Sequence, residues 1–175
     1  MALLLAALAT LVSVAPAQTA AGPVAVVGEF TNMRFTQEHA YGYSVQIWRQ
    51  EDTLFGLFMA SEGLQGDTPT GLLDDIEFDP QTGALTFTTR LTIGVAYLGD
   101  TPVPSRDLFE FRGMLQRLTL IGTLTRWDRL HPAATPTTER VRLQKQPSTL
   151  MIQPASYGAW KQWADEILGR RGPKW

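Results

Sequence analysis

Residues that commonly carry enzyme chemistry are few in this chain. The 175-residue sequence has no cysteine and two histidines, His39 and His131, both in loop-like segments. Neither histidine belongs to a His-x-x-x-His or His-Glu-x-x-His spacing, so no metal or catalytic motif is formed. A Gly-x-Ser-x-Gly elbow, a phosphate-binding loop and a dinucleotide fingerprint are also missing from the sequence. The sequence therefore predicts solvated loop histidines, no cofactor and no enzyme.

One acidic cluster follows Asp74, with Asp75, Glu77 and Asp79 at alternate positions. On a β-strand these three carboxylates share one face, while the intervening apolar residues face the other way. Such a row could bind calcium or supply the carboxylate pair of a glycosidase. Calcium-loop spacing is absent and the opposite face is apolar. A solvent-exposed strand face is therefore the favoured interpretation, and a hydrolase is a distant alternative.

The cluster lies in the first arm of a predicted hairpin, residues 76–87. Pro80 presets the backbone angle of a turn, Asp79 can accept hydrogen bonds from the turn amides, and Gly83 supplies a left-handed residue. The second arm alternates for a long distance. One face carries Leu85, Phe87, Thr89, Leu91, Ile93 and Val95, which is the two-residue period of a half-buried strand.

Similar alternation predicts eight strands, separated by connections too short for helical crossovers. Besides the two hairpin arms they are residues 24–36, 41–49, 53–60, 107–114, 117–127 and 138–145. We expect an all-β, antiparallel, mostly up-and-down eight-stranded barrel over residues 24–146, with a two-sheet sandwich as the alternative. Glycines inside several strands favour a curved, closed sheet. Residues 53–60 are apolar on both faces, which predicts a cover outside the barrel.

The two ends of the chain differ from this body. Residues 1–17 are an uncharged apolar run ending in Ala15-Pro16-Ala17, which predicts a signal peptide cleaved before Gln18. The predicted location is therefore exported, periplasmic or extracellular, and the alternative is an uncleaved anchor reaching Ala21. Residues 154–169 are the one predicted helix, and residues 170–175 form a basic tail.

The predicted helix has an apolar face made by Tyr157, Trp160, Ala164, Ile167 and Leu168. We expect this face to pack against the outside of the barrel. Alternatively, the helix and tail contact a partner or a membrane surface, because aromatic and basic residues cluster there. The candidate contact residues are Trp160, Trp163, Arg170, Arg171 and Trp175.

Charge is distributed unevenly along the chain. Residues 1–100 have three basic and eleven acidic residues, a net charge of −8, whereas residues 101–175 have twelve basic and six acidic residues, a net charge of +6. In a sequential barrel this places an acidic wall opposite a basic wall and tail. A dipolar surface favours self-association, docking on an acidic protein, or contact with anionic lipid. Nucleic acid is not an expected partner of an exported chain with a pI near 5.7.

A run of meandering strands followed by one helix resembles the lipocalins and the wider calycin barrels. The Gly-x-Trp motif of that family would fall on Gly28-Glu29-Phe30, with phenylalanine in place of tryptophan. The resemblance implies a barrel whose mouth or interior holds a small apolar molecule. Fold alone does not fix the ligand.

The sequence is compatible with two functions. The first is a non-catalytic accessory or structural subunit of an envelope or extracellular assembly, which predicts an interior filled by the chain's own side chains. The second is a carrier of a small apolar ligand, which predicts unfilled volume next to aromatic residues. The candidate ligand-binding residues are Tyr41, Tyr43, Trp48 and Phe87.

Overall fold

Strands dominate the computed structural model, which describes residues 22–64, 68–98, 101–147 and 153–170. The predicted signal peptide and residues 171–175 lie outside the described residues. The strands are β1 Ala25–Thr31, β2 Arg34–Phe35, β3 His39–Gln50, β4 Thr53–Leu64, β5 Thr70–Leu72, β6 Asp74–Phe78, β7 Ala84–Arg90, β8 Val95–Leu98, β9 Thr101–Pro104, β10 Leu108–Leu115, β11 Thr119–Trp127 and β12 Thr137–Gln146. One helix, α1 Tyr157–Arg170, follows them.

Ten of the strands form a single antiparallel sheet that curls into a nearly closed barrel. Its order is β5-β4-β3-β1-β12-β11-β10-β7-β6, and the short β2 pairs with β3. Pairing of β1 with β12 brings the start and the end of the strand region together. The seam lies between β5 and β6, the two ends of this order. Strands β8 and β9 form a separate two-stranded hairpin.

The prediction of eight strands is wrong, because two predicted strands break and two predicted loops contain strands. The long second arm of the hairpin ends at Arg90, since Gly94 has a positive φ and packs against Pro69. The first strand divides after Thr31, where the Asn32 side chain accepts a hydrogen bond from the backbone N–H of Tyr43 at 2.7 Å. Strands β5 and β9 lie in the connections between predicted strands, residues 61–75 and 96–106.

Apolar side chains of the barrel strands fill the interior. The largest buried ones are Phe30, Phe58, Phe87, Phe109 and Phe111, packed with leucine, valine and isoleucine from neighbouring strands. Gly113 and Gly122 are paired across β10 and β11, and a side chain at either would collide with the Phe111 ring. The two glycines therefore make room for that ring, and the middle of the barrel is a packed core.

Helix α1 packs outside the barrel, over β3 and β4. Trp160 and Ala164 are buried in a second apolar cluster with Val24, Trp48, Phe55 and Leu57. This confirms that strand 53–60 is covered on its outer face. The Gln50 side chain accepts a hydrogen bond from the N–H of Tyr157 at 2.8 Å and so fixes the start of the helix. No helix in the described part of the chain combines the length and the apolarity needed to cross a membrane.

Candidate functional site

The barrel end where β3, β10 and β12 begin and β4, β7 and β11 end is here named the mouth. It contains a cavity of about 320 Å³. Its apolar lining comes from Ala60, Pro69, Leu91, Val95, Phe109 and Leu130, and its polar lining includes Ser61, Glu62, Ser105, Asp107, Arg126, Asp128 and His131. A concave, largely apolar site with a few convergent polar groups is the usual form of a small-molecule site.

Arg126 is the central charged residue of the mouth. It continues the inward-facing row of β11 below it, Leu120 and Leu124, so its side chain turns into the barrel end. Its Nε and Nη2 atoms both lie 2.7 Å from Oδ2 of Asp107, and its Nη1 donates to Glu62. Burial opposes the charge of Arg126, but the hydrogen bonds and negative charges of Glu62 and Asp107 outweigh this and raise the pKa of Arg126.

Asp107 ties this network to the loop after β11. It is 5% exposed, and its Oδ1 accepts a hydrogen bond from the backbone N–H of Arg129 at 2.9 Å. Both carboxylate oxygens are therefore occupied. The ion pair between Arg126 and Asp107 is costly to desolvate, yet it lies at the end of an otherwise apolar core. Because such costly charged groups cluster at functional sites, the mouth is a candidate site.

Asp128 and His131 form a second polar pair on the same rim. Oδ2 of Asp128 lies 2.8 Å from Nδ1 of His131, and Oδ1 accepts backbone N–H groups of Leu130 and His131. The hydrogen bond with His131 lowers the pKa of Asp128. Ser61 and Ser105 are the described hydroxyl residues that line the cavity, and neither is hydrogen bonded to His131. The carboxylate of Asp128 therefore orients the imidazole of His131 on the rim.

Tyr43 lies just below the mouth. Its hydroxyl donates a hydrogen bond of 2.6 Å to Glu139, and its ring contacts those of Phe58 and Phe109. Burial, followed by the hydrogen bond to Glu139, raises the pKa of Tyr43. Because Phe109 also lines the cavity, Tyr43 supports the floor of the mouth from beneath.

The other three predicted ligand-binding residues do not line the cavity. Phe87 is in the filled interior, and Trp48 is on the outer face beneath α1. Tyr41 is exposed and stacks on His39 at a centroid distance of 6.0 Å. Of the four, Tyr43 and Tyr41 lie at the mouth end of the barrel, since Tyr41 is paired with Glu62 of the cavity lining.

The predicted partner-contact residues are dispersed as well. Trp160 is 4% exposed and packs on Phe55 at a centroid distance of 4.8 Å, so it contacts the barrel in this fold. Trp163 is partly buried against the same cluster. Arg170 is the last residue of α1, while Arg171 and Trp175 lie outside the described residues.

The acidic strand places its carboxylates on separate partners. Asp75 has a positive φ and accepts a hydrogen bond from Thr88, Glu77 lies 3.5 Å from the Thr86 hydroxyl, and Asp79 accepts from the turn. Within the described ranges, no group of three metal-ligating side chains converges.

The mouth network was not identified from the sequence, although one signal was present. Arg126 has the inward parity of Leu120 and Leu124, and a charge at an inward position near a strand end is unusual. Its partner Asp107 comes just before the neighbouring hairpin strand β10, whereas Glu62 is 64 residues away in the chain, and no motif spacing links the three. His131 is an exposed loop residue, as predicted, and it is also bonded to Asp128 on the rim of the cavity.

Comparison with known proteins gave no match to a family model, a curated protein or a solved structure. The coarse architecture, a nearly closed antiparallel barrel with one helix, is consistent with a lipocalin-like barrel.

Proposed function

We propose that this chain is a non-catalytic binding protein that holds one small, largely apolar molecule in the mouth. The observation that carries the proposal is the cavity of about 320 Å³, with an apolar floor and a charged wall fixed by internal bonds. Its volume equals that of roughly ten water molecules. The expected ligand therefore has on the order of ten non-hydrogen atoms.

The packed interior restricts the ligand to the mouth. Phe58, Phe87 and Phe109 occupy the space that a deep apolar ligand would need. The apolar part of the ligand would lie on Leu91, Val95 and the Phe109 ring. Glu62, whose carboxylate is exposed at the rim beside Arg126, is the group that can rearrange to meet its polar end.

The test is native mass spectrometry of the protein purified from the cells that express it. We expect an additional mass of roughly one to two hundred daltons on the wild type, lost on denaturation, for a ligand of that size. Ala60→Leu adds three carbons to the cavity wall, so this variant should lose the additional mass. Its melting temperature should not fall, since the added atoms enter existing space.

Ala84→Leu is the matched control, because it makes the same change at an exposed position of β7. It should keep the additional mass. A wild-type chain that carries no small molecule, or an Ala60→Leu variant that carries it undiminished, would contradict binding at the mouth.

A second candidate function is an accessory subunit of an envelope or extracellular assembly. The filled interior favours it, because a barrel that is structural inside must act through its surface. In the same spectra, this function predicts a bare chain that travels with a larger protein or with copies of itself. A bare chain travelling alone would oppose both candidates.

A further inference from the structure

The outer face of β10, β11 and β12 combines arginines with exposed apolar residues. Inward positions on these strands carry the core residues, so the alternate residues point outwards. Together with the β10–β11 turn, this outer face presents Arg112, Met114, Arg117, Leu118, Ile121, Arg140 and Arg142, here named the arginine face.

Strand register places these side chains next to one another. Arg142 is paired with Ile121, which is paired with Met114 on the next strand. One row further along, Arg140 is paired with Thr123, which is paired with Arg112. Neighbouring strands are about 4.8 Å apart, so both rows lie within one continuous surface.

Apolar side chains protrude at one corner of the arginine face. Leu118, in the turn between β10 and β11, is 64% exposed, and Met114 is 44% exposed. They are two of the five large hydrophobic residues that are exposed in the described part of the chain. Arg117 precedes Leu118 in the chain and Arg142 is separated from Met114 by Ile121, so positive charge lies on two sides of the apolar corner.

Most of this charge is uncompensated. Arg112 forms an ion pair with Glu110 on its own strand. Arg117, Arg140 and Arg142 form no ion pair with any residue in the described ranges. Three free guanidinium groups and a protruding leucine form an arrangement that fits phosphate groups above an apolar layer.

We propose that the arginine face binds the surface of an anionic lipid membrane. Leu118 and Met114 enter the boundary between headgroups and acyl chains, while the flanking arginines contact lipid phosphates and carboxylates. The unpaired charges around the apolar corner are all positive. A protein partner would have to place carboxylates at fixed distances from them, whereas a membrane surface does not need such fixed positions. This site lies on the barrel wall and is separate from the mouth.

Vesicle flotation tests the proposal, using the protein as purified and vesicles of phosphatidylcholine with or without 30% phosphatidylserine (on the order of cellular anionic content). We expect binding to the anionic vesicles and little binding to the neutral ones. Arg140→Gln/Arg142→Gln should reduce the partition coefficient roughly 25-fold at low salt, because each basic residue contributes roughly five-fold. High salt should remove most of this difference.

Two further variants separate surface contact from general effects. Leu118→Ser should weaken binding at both low and high salt, since it removes apolar contact. Arg34→Gln/Arg49→Gln makes the same charge change on exposed positions of β2 and β3, and should bind like the wild type. Absence of binding to anionic vesicles, equal binding to neutral ones, or equal loss in both arginine pairs would each overturn the proposal.

Discussion

Arg126 and Asp107 show how single residues decide the character of the barrel end. The guanidinium is 30% exposed, whereas the carboxylate is 7% exposed and depends on Arg126 and one backbone N–H for its hydrogen bonds. Removing the cation would leave a buried negative charge with one donor. Glu62, on the other side of Arg126, is 60% exposed and can be hydrated instead.

Arg126→Met is therefore expected to lower the free energy of unfolding by about 2–3 kcal/mol, somewhat less than for a fully buried pair because Arg126 reaches water. Glu62→Gln should cost less than about 1 kcal/mol. Urea unfolding at pH 7 measures both. Similar losses in the two variants would show that the Asp107 pair is not the buried anchor of the mouth.

Tyr43 gives a pH-dependent prediction. Its raised pKa means that, above its ordinary value of 10.0, the unfolded chain loses this proton before the folded protein does. Stability then decreases as pH rises. Tyr43→Phe should cost about 1 kcal/mol at neutral pH through the lost bond to Glu139.

Above pH 10 the difference between the wild type and Tyr43→Phe should shrink, since the variant has no proton to lose at this position. Urea unfolding between neutral and alkaline pH measures this, with the exposed Tyr41→Phe as the control for loss of a tyrosine. A difference that stays constant above pH 10 would contradict the burial of the Tyr43 hydroxyl.

At the scale of elements, the prediction succeeded for strands whose alternation is uninterrupted. It failed where a contact in the folded chain ended a strand early. Residues 41–49 and 117–127 alternate and correspond to β3 and β11, and residues 53–60, a short run that is apolar on both faces, correspond to part of β4. Residues 85–95 alternate equally well, yet the strand ends at Arg90 because Gly94 meets Pro69. That contact joins residues distant in sequence, so periodicity carries no trace of it.

Helix α1 was predictable because its apolar face and the doubly apolar strand 53–60 each required a partner. Trp160 joins them, packing on Trp48 and Phe55. Trp160→Ala should lower the free energy of unfolding by about 3 kcal/mol, as expected for a buried aromatic residue. Trp163→Ala, at a partly buried position, should cost about 1 kcal/mol.

Thermal or urea unfolding measures these losses, and Lys161→Ala, one residue further along on the exposed face, should remain within about 0.5 kcal/mol of the wild type. A Trp160→Ala variant as stable as Lys161→Ala would contradict docking of the helix on the barrel.

In the whole molecule, strand pairing is extensive on both sides of β11 and sparse at the seam. β11 is paired with β10 and β12 along nearly its full length. β6 pairs on one side with β7, with an interrupted register between Asp74 and Glu77, and β5 pairs with β4 only over Leu57–Met59. The seam is therefore expected to open before the rest of the barrel.

Native-state hydrogen exchange measures this difference. Amides of β5 and β6 should exchange by local opening with free energies well below that of global unfolding, while amides of β11 should approach the global value. Equal protection at the seam and in β11 would indicate that the barrel is fully closed.

An all-β, antiparallel barrel with one outer helix could be predicted from alternation, short connections and an amphipathic end segment. The mouth could not, because Glu62 meets Asp107 and Arg126 only once β4, β10 and β11 are wrapped around a common axis. Tyr43 lies below the mouth because its side chain belongs to the inward-facing row of β3. Trp48, an odd number of positions further along the same strand, faces outward.

The measurement that tests the central claim most directly is a crystal structure of the protein isolated from the cells that express it. Binding at the mouth predicts electron density for one small molecule against Leu91 and Phe109, with its polar end at Arg126 or Glu62. A mouth that contains only water, with the Arg126–Glu62 pair unchanged and self-copies or a partner chain packed on the outer surface, would contradict it.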